Sequence, residues 1–353
     1  MKVLLLNQGH TENYGDIAIK QTIEEMLKFK NIDVETEKFW SASFIFSNHS
    51  YPMLFTKVIY KFPFIIDYFT TKHFKNIINN SYDCVIVGGG ELLGNHMGFN
   101  SSLKTIVKIC KKNKIPIYVI GVSGDNEMSK IMLGRYKKAL LKCDYLAVRD
   151  TLTYYLLKEK FNIKNVQLYP DVVFAYRSVI GIQSIKKTGK KLLCIPIPFS
   201  RKLKKKLNLK NKKEYFDYLY NYVVSKNNPD IVISSSTKTD DVISFEFYEY
   251  VSQLKSDFNF SYVPYTNITD YINLLNKVEF IISGRMHPLI FGILCNCNFD
   301  VIPFKNKLIT FKNDYKILSC NEDCIAGIEN KANELFDNII NGLKIIGINK
   351  DEK

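Results

Sequence analysis

The chain has 353 residues, more than a single hydrophobic core usually serves, so the sequence predicts two domains. Hydrophobic residues make up 46% and charged residues 24% of it, a balance that excludes a disordered, collagenous or low-complexity protein. The formal net charge is +14, and the apolar stretches are too short for a membrane-spanning helix or a signal peptide. A cytoplasmic protein is therefore predicted.

Short apolar runs alternate with longer amphipathic segments in the first half of the chain, a pattern typical of an α/β domain with a parallel sheet. A helix from about Asp16 to Lys30 follows the first predicted strand, and another helix follows the fourth. The predicted strands cover 3–7, 83–90, 115–124, 144–150 and 165–174.

The segment 44–69 interrupts this rhythm because it is strongly aromatic and apolar, yet broken by prolines and lysines. One interpretation is a hairpin or helix packed on the N-terminal domain. The other is an interfacial element with aromatic anchors in a membrane surface and lysines that extend to the headgroups. The anchors would be Phe46, Phe55 and Phe62, and the lysines would be Lys57 and Lys61.

The periodicity lapses over 174–190, the predicted linker, and a second α/β set follows it. Its predicted strands cover 191–199, 230–236, 260–265, 279–284 and 299–304, and a last helix covers 325–343. We therefore expect two Rossmann-like domains, 1–178 and 190–325, followed by a helix and tail at 326–353. Ligands of open α/β sheets bind at the carboxyl ends of the strands, so the two domains are expected to face a cleft that holds the site.

Between Asp171 and Glu214 the chain carries no acidic residue, whereas lysine is frequent, as in Lys204, Lys205 and Lys206. Such a patch attracts polyanions or an anionic lipid surface, but a solvated linker and helix face explains it as well. No DNA- or RNA-binding motif accompanies the charge, so no nucleic-acid partner is predicted.

The eight cysteines lack the paired spacing of a zinc site, and several lie in apolar runs where a thiol packs as a small hydrophobic group. The closest pairs are Cys295 with Cys297 and Cys320 with Cys324. We expect reduced, structural thiols and no metal ion.

The loop GHTENYGDIAI at 9–19 joins the first strand to the first helix. Gly15 allows a close approach of the backbone, and Asp16 is placed either to cap the helix or to present a carboxylate to a ligand. Asn13 and Tyr14 have no evident structural role, so they are candidate ligand contacts. A helix N-terminus here would offer amides to an anion or a sugar hydroxyl.

The run GGGELLG follows the second buried strand. Gly89 and Gly90 would let a ligand approach the main chain, and Glu91 would project into the cleft. One glycine run is a weak signal, but two such loops at corresponding strand ends strengthen each other. At a further strand end, Arg149 and Asp150 are expected to form an ion pair.

The strongest local signal is IISGRMHPLIFG at 281–292, where an apolar strand ends at Ser283 and Gly284 and a helix opens. Arg285 emerges at this turn, and arginine is the residue best suited to bidentate recognition of a carboxylate or phosphate. His287 is a candidate proton donor or a further anion contact.

Taken together, these motifs resemble the polysaccharide pyruvyl transferases. The resemblance extends from about Val3 to Tyr315 and rests on NYGD at the first helix, GGGELL, an RD strand end, YPDVVF before the linker, and SGRMH. It implies a two-domain fold like that of the glycosyltransferase-B enzymes. It also implies transfer of pyruvate from phosphoenolpyruvate to two hydroxyls of one sugar, which forms a cyclic ketal.

By this resemblance Arg285 and His287 bind the phosphoenolpyruvate donor in the C-terminal domain, with Ser283 and Gly284 beside them. Arg201 and Lys307 are the nearest matches to further basic donor contacts of the family. The N-terminal domain becomes the acceptor side, with candidate contacts at Asn13, Tyr14, Gly15, Gly89, Gly90 and Glu91. Relatives usually carry a Gly-x-Pro turn where this chain reads Asn296-Cys297-Asn298.

Phosphoenolpyruvate carries a phosphate and a carboxylate, so its site needs at least two cationic or helix-terminal contacts. His287 is the candidate acid for protonating the methylene carbon, and Asp16 or Glu91 is the candidate carboxylate for the hydroxyl protons. No metal and no cofactor beyond this co-substrate is expected. The expected acceptor is a glycan or a lipid-linked oligosaccharide at the inner membrane face, with an anionic membrane surface as a candidate partner.

Two other classes of protein are compatible with these features. A nucleotide-sugar glycosyltransferase would hold a diphosphate with Arg285 and His287, but the chain after His287 carries no carboxylate before Asp300. A non-catalytic protein of cell-envelope synthesis is the other alternative, and the presence of both Arg285 and His287 argues against it.

Overall fold

A computed structural model describes residues 1–45, 62–125, 127–180, 191–315 and 322–351. Much of the predicted interfacial element lies outside these residues, with Phe46, Phe55, Lys57 and Lys61, and so do most of the predicted linker and Cys320. The chain forms two compact α/β units. Unit 1 comprises Met1–His10, Ala18–Val172 and Asn330–Lys353, and unit 2 comprises Thr11–Ile17 and Val173–Glu329.

Unit 1 is built on a six-stranded parallel sheet with the order β2-β1-β3-β4-β5-β6. Its central strands carry unbroken apolar runs because both faces of a parallel sheet are covered. The strands are β1 Lys2–Asn7, β2 Asp33–Lys38, β3 Cys84–Leu93, β4 Ile117–Gly124, β5 Tyr145–Val148 and β6 Val166–Leu168. The helices up to the end of this sheet are α1 Tyr14–Lys28, α2 Pro63–Ile77, α3 Met97–Lys112, α4 Lys130–Leu140 and α5 Thr151–Tyr155.

Unit 2 contains a five-stranded parallel sheet with the order β11-β10-β7-β8-β9. Its strands are β7 Lys191–Ile195, β8 Asp230–Ile233, β9 Asn259–Tyr262, β10 Phe280–Ser283 and β11 Asn298–Val301. The helices from unit 2 onward are α6 Tyr176–Ile180, α7 Arg201–Lys206, α8 Lys212–Val224, α9 Lys238–Ser252, α10 Ile268–Leu275, α11 Met286–Leu294, α12 Asn306–Tyr315 and α13 Glu322–Asp351.

Two helices pass from one unit to the other along the chain. The first turn of α1 belongs to unit 2 and the rest of that helix to unit 1, whereas α13 begins in unit 2 and continues in unit 1. The sequence pattern did not indicate either assignment. In the part of the chain that the structure describes, no helix is both long enough and apolar enough to cross a membrane.

Several strand ends differ from the sequence prediction. Strand β3 does not stop at the glycines but runs on to Leu93, with Gly89 at φ +70° and Gly90 at φ +92°. Strand β6 ends at Leu168, and the predicted continuation at 172–175 is a 3-10 turn. Strand β2 was not predicted, because its sequence DVETEK lies largely exposed at the sheet edge and has no apolar pattern.

Candidate functional site

The carboxyl ends of the parallel strands in unit 2 share one edge of the sheet, and each strand is followed by a helix. Helix α7 follows β7, α9 follows β8, α11 follows β10 and α12 follows β11. Ligands of open α/β sheets bind at this kind of edge. The predicted donor-side residues lie at the ends of these strands or after them.

Arg285 forms a two-point ion pair with Asp240. The guanidinium donates from Nε to Oδ2 of Asp240 at 2.6 Å and from Nη2 to Oδ1 at 2.8 Å. The Asp240 side chain is 1% exposed, whereas that of Arg285 is 38% exposed. One end of the pair is therefore buried in unit 2 and the other reaches solvent.

Arg285 lies at the N-cap position of α11, and its backbone amide donates to Oγ of Ser283 at 2.9 Å. The amide of Gly284 is occupied as well, because it donates to the carbonyl of Ile195 at 3.2 Å. A Cβ at Gly284 would lie 2.6 Å from Cγ2 of Ile197. Ser283 and Gly284 thus shape the turn that presents Arg285.

His287 is half-buried in the first turn of α11 and packs against Gly15 in the first turn of α1. A Cβ built on Gly15 would lie 2.0 Å from Nδ1 of His287 and 2.3 Å from its Cγ. Only glycine leaves room for the imidazole ring in this position. The structure therefore brings two predicted site residues together that the sequence separates widely.

The segment Thr11–Ile17 is held in unit 2 by backbone pairing. Asn13 forms an isolated antiparallel bridge with Thr237, and the amide of Tyr14 donates to the carbonyl of Ser236 at 3.0 Å. Lys238 and Glu12 add an exposed ion pair of 2.8 Å. This segment thereby lies against the N-terminus of α9, which carries Asp240.

Asn13, and not Asp16, caps helix α1. Its Oδ1 accepts from the amide of Gly15 at 3.0 Å, and the helix begins at Tyr14, so Asp16 lies inside the first turn. The Asp16 carboxylate accepts from Nδ2 of Asn13 and from Oγ1 of Thr11, each at 2.9 Å. The prediction that Asp16 caps the helix is therefore wrong. Its carboxylate is instead oriented by two neutral donors.

Tyr14 has a packing role that the sequence did not reveal. It is 1% exposed, stacks on Tyr265 with ring centroids 4.5 Å apart, and contacts Tyr271 at 4.8 Å. Its hydroxyl accepts from the amide of Thr266 at 3.0 Å. Burial raises the pKa of this phenol. These contacts give Tyr14 a packing role in unit 2, and its predicted role in acceptor binding stays a prediction.

Arg201 and Lys307 lie in first turns at the same edge of the sheet of unit 2. Arg201 is exposed at the start of α7, where Ser200 caps the helix, and Lys307 is half-buried in α12. Both remain candidates for an anion contact.

Gly89, Gly90 and Glu91 belong to unit 1 and lie within β3. A Cβ on Gly89 would lie 2.2 Å from Cγ2 of Ile19, so this glycine is required by packing against α1. Glu91 is half-buried. Their predicted role in acceptor binding stays a prediction.

Arg149 forms a buried ion pair with Asp171, a partner that the sequence did not suggest. Its Nη1 donates to Oδ2 of Asp171 at 2.6 Å and its Nη2 to Oγ of Ser123 at 2.9 Å, within unit 1. Asp150 instead caps α5 by accepting from the amide of Thr153 at 2.7 Å.

Asp240 is the residue of this site that the sequence analysis missed. The available signal was a capping pattern, because Thr237 caps α9 and its Oγ1 accepts from the amide of Asp240 at 3.1 Å. Such a pattern predicts a helix start but not an ion-pair partner. Among the described residues no group of three or more His, Cys, Asp and Glu side chains could hold a metal ion.

The two parallel-sheet α/β units are those of a glycosyltransferase-B-like fold, and solved structures with this fold are similar to this one. UDP-GlcNAc 2-epimerase from Neisseria meningitidis aligns over 97% of this chain and 100% of its own, with 12% identity and a TM-score of 0.59. UDP-GlcNAc 2-epimerase from Methanocaldococcus jannaschii aligns over 97% of this chain and 99% of its own, with 10% identity and a TM-score of 0.54. MnaA from S. aureus, solved with UDP, aligns over 97% of this chain and 96% of its own, with 10% identity and a TM-score of 0.55. At these identities the likeness concerns the fold alone.

A family model described as polysaccharide pyruvyl transferase matches residues 13–304, which include both α9 and the Arg285–His287 turn. The chain belongs to the polysaccharide pyruvyl transferase family. No protein among curated sequences matches it.

Proposed function

We propose that this protein transfers pyruvate from phosphoenolpyruvate to two hydroxyls of one sugar, in a cell-surface glycan or its lipid-linked precursor, and forms a cyclic ketal. The observation that carries the proposal is the pair Arg285 and His287 at one strand-to-helix turn of a chain in this family. An anion contact and a proton donor so close together suit a donor with two acidic groups.

Arg285 is proposed to bind one acidic group of the donor. An arginine has five N–H donors, and Asp240 occupies Nε and one hydrogen of Nη2. The remaining donors include one N–H on each terminal nitrogen, side by side, which match the two oxygens of a carboxylate or phosphate. Arg201 and Lys307 are proposed for the second acidic group.

His287 is proposed as the acid. A proton passes from the imidazolium to the methylene carbon of phosphoenolpyruvate, and the neighbouring carbon becomes oxocarbenium-like. One sugar hydroxyl adds there and loses its proton to a carboxylate. The bond to the phosphate oxygen then breaks, inorganic phosphate leaves, and the second hydroxyl adds and passes its proton to the imidazole of His287, which the first step left neutral. Asp16 is our first choice as proton acceptor because its segment contacts His287 through Gly15, and Glu91 is the second.

Thermal protection tests the donor. Phosphoenolpyruvate at a hundred times its Kd should stabilise the wild type by roughly 2.7 kcal/mol. Arg285→Ala alone is a poor test, since it leaves the Asp240 carboxylate buried and unpaired. The double variant Arg285→Gln with Asp240→Asn neutralises both partners, and it should lose the protection.

The matched control is Arg135→Gln with Asp67→Asn, which neutralises a comparable arginine–aspartate pair in unit 1, joined at 2.6 Å. It should keep the protection. Equal protection of the wild type and the Arg285 double variant would refute the donor assignment. Protection by UDP-N-acetylglucosamine in place of phosphoenolpyruvate would favour the nucleotide-sugar alternative.

Substitution of His287 separates binding from chemistry. His287→Gln should keep most of the donor affinity and lose turnover by roughly 10²–10⁴-fold, the usual contribution of a positioned acid. Single-turnover release of phosphate from phosphoenolpyruvate, with a glycan acceptor present, measures the step. Near-normal turnover in this variant would show that another group is the acid.

We also propose peripheral binding to an anionic membrane surface. In unit 2, helix α7 exposes its cationic side chains and buries only Leu203. In unit 1, Phe64 and Tyr68 lie one turn apart on α2 and are 68% and 64% exposed, with the exposed Lys72 a further turn along. Cations near an anionic leaflet contribute about 1 kcal/mol each, and exposed aromatic rings add apolar contact.

Co-sedimentation with anionic and zwitterionic liposomes tests this binding. The wild type should sediment with anionic vesicles at low salt and dissociate as salt rises, because the attraction is screened. Reversal of the three lysines Lys204, Lys205 and Lys206 to glutamate should weaken it. Reversal of Lys108, Lys112 and Lys138, exposed lysines of unit 1, makes the same change in net charge and should have less effect. A wild type that ignores anionic vesicles would leave the patch as a solvated face.

A further inference from the structure

Asp240 is a buried acidic residue of unit 2 whose two carboxylate oxygens both face Arg285. It is fully buried, and both hydrogen bonds of its carboxylate to the guanidinium are 2.8 Å or shorter. A buried carboxylate is expensive, and an apolar side chain often stabilises a fold equally well at such a site. Stability alone is therefore a weak reason for this pair.

The backbone around Asp240 is fixed by several contacts. Thr237 caps α9 by accepting from the Asp240 amide, and Oγ of Ser244 donates to the Asp240 carbonyl at 3.1 Å. Asn13 pairs with Thr237 in the isolated bridge, so the 11–17 segment supports the same helix start. The carboxylate is thus anchored on a helix that does not depend on Arg285 for its own capping.

We propose that Asp240 is a positioning residue that orients Arg285 for anion recognition. Because it accepts from Nε and from one N–H of Nη2, it sets the plane of the guanidinium, and the other N–H of Nη2 and the N–H groups of Nη1 are left for a ligand at the two terminal nitrogens. The ligand class is a planar or tetrahedral oxyanion bound at those nitrogens. This inference rests on the proposed function insofar as the oxyanion is a phosphoenolpyruvate group.

A positioning role and a mere charge effect of Asp240 predict opposite changes in the Kd of phosphoenolpyruvate for Asp240→Asn. If Asp240 acted only through its negative charge, it would repel the bound anion. Asp240→Asn would remove that repulsion, and the donor would bind more tightly. A positioning residue has the reverse effect, because asparagine has one acceptor oxygen and would turn a donor NH₂ group toward the second N–H of Arg285, so the two parallel hydrogen bonds cannot both form. We expect the Kd of phosphoenolpyruvate to rise roughly 10- to 100-fold, as misplacement of a binding group does.

Asp241→Asn is the matched control, since it removes the same charge one residue along. Its carboxylate accepts from Oγ of Ser235 at 2.9 Å and from the amide of Tyr265 at 3.0 Å, and it makes no contact with Arg285 among the described residues. Its Kd should stay close to that of the wild type. Tighter binding by Asp240→Asn, or equal weakening by both variants, would overturn the proposal.

A second measurement needs no ligand and no turnover. The Nε–H of Arg285, assigned in an arginine-selective ¹⁵N spectrum by its loss in Arg285→Gln, should be protected from exchange in the wild type and lose that protection in Asp240→Asn. An unchanged signal in Asp240→Asn would overturn the proposal. If the wild type binds no phosphoenolpyruvate, the proposed donor fails, and the Nε–H comparison still decides whether Asp240 fixes Arg285.

The wild type alone supplies a further test should Asp240→Asn not fold. Saturating phosphoenolpyruvate should leave the Arg285 Nε–H protected, because the donor and Asp240 use different edges of the guanidinium. If that Nε–H lost its protection from exchange when phosphoenolpyruvate binds, the anion would have displaced Asp240 from Arg285. That result would overturn the proposal.

Discussion

Gly15 shows how a single residue determines the geometry around His287. Any other residue at this position would place a Cβ 2.8 Å or less from three atoms of the His287 side chain. Glycine is not needed here for a positive φ, since the positive-φ glycines of the described chain are Gly89, Gly90 and Gly121. The requirement at Gly15 is therefore steric, and it comes from the imidazole ring.

Gly15→Ala should displace the His287 ring and reduce turnover at least roughly tenfold, because small shifts of a reacting group are costly. Donor affinity through Arg285 should change less, so kcat should fall more than KM rises. Steady-state kinetics with phosphoenolpyruvate and a glycan acceptor measure the split.

The control for Gly15→Ala is Gly134→Ala in α4, where a Cβ meets no atom within 4 Å. Alanine there should leave turnover unchanged and stabilise the helix by roughly 0.5–1 kcal/mol. If Gly15→Ala behaved like Gly134→Ala, the contact with His287 would have no bearing on activity.

At the scale of elements, Asp300 joins β11 to its neighbours in unit 2. It accepts from Nζ of Lys226, after α8, at 2.8 Å and from Nζ of Lys312, in α12, at 2.6 Å. Burial raises the pKa of this carboxyl, but its hydrogen bonds, those from the two lysines first among them, outweigh burial and lower the pKa from 3.8 to about 2. Asp300 thus links β11 to Lys226 and Lys312 within unit 2.

The lowered pKa makes unit 2 sensitive to acid. Because the folded pKa lies below the unfolded one, the stabilisation is complete above about pH 4 and is lost as the pH falls toward about 2. The amount is about 2 kcal/mol for this shift of the pKa. Asp300→Asn should remove it at neutral pH and flatten the acid dependence over that range.

Hydrogen exchange of peptides that contain β11 measures this effect, since the one tryptophan of the chain, Trp40, lies in unit 1 and does not report on unit 2. Asp217→Asn, a partly exposed acid of α8, is the comparison variant. The same acid dependence in the wild type and Asp300→Asn would contradict the assignment.

At the scale of the whole molecule, the chain does not divide into its two units at one point. Unit 2 takes Thr11–Ile17 from the N-terminal region, and Tyr14 from that segment is buried between Tyr265 and Tyr271. A boundary placed in the linker alone would separate Tyr14 from the core in which it packs.

Tyr14→Ala should therefore destabilise unit 2 although the residue precedes nearly all of unit 1. Truncation of a large buried aromatic side chain costs about 3–5 kcal/mol. We expect faster hydrogen exchange in peptides that span β9 and α10, and little change at β4 in unit 1. Tyr155→Ala, at a tyrosine that is 56% exposed, should stay within about 0.5 kcal/mol of the wild type. Acceleration confined to unit 1 would refute the assignment of Tyr14.

The sequence by itself determined the α/β class, the two parallel sheets and the family. Buried parallel strands carry continuous apolar runs, and strand-to-helix turns carry local signals such as SGRMH, so both can be recognised within a short window. The same window could not reveal β2, because an exposed edge strand needs no apolar pattern.

Only the tertiary structure decided which residues meet. Arg285 with Asp240, His287 with Gly15, and Tyr14 with Tyr265 each join segments that follow different strands. Local periodicity carries no information on such contacts, because each of them joins side chains that lie far apart along the chain. The sequence could identify Arg285 as a cation at a turn. Its orientation depends on a buried carboxylate that the fold supplies from another helix.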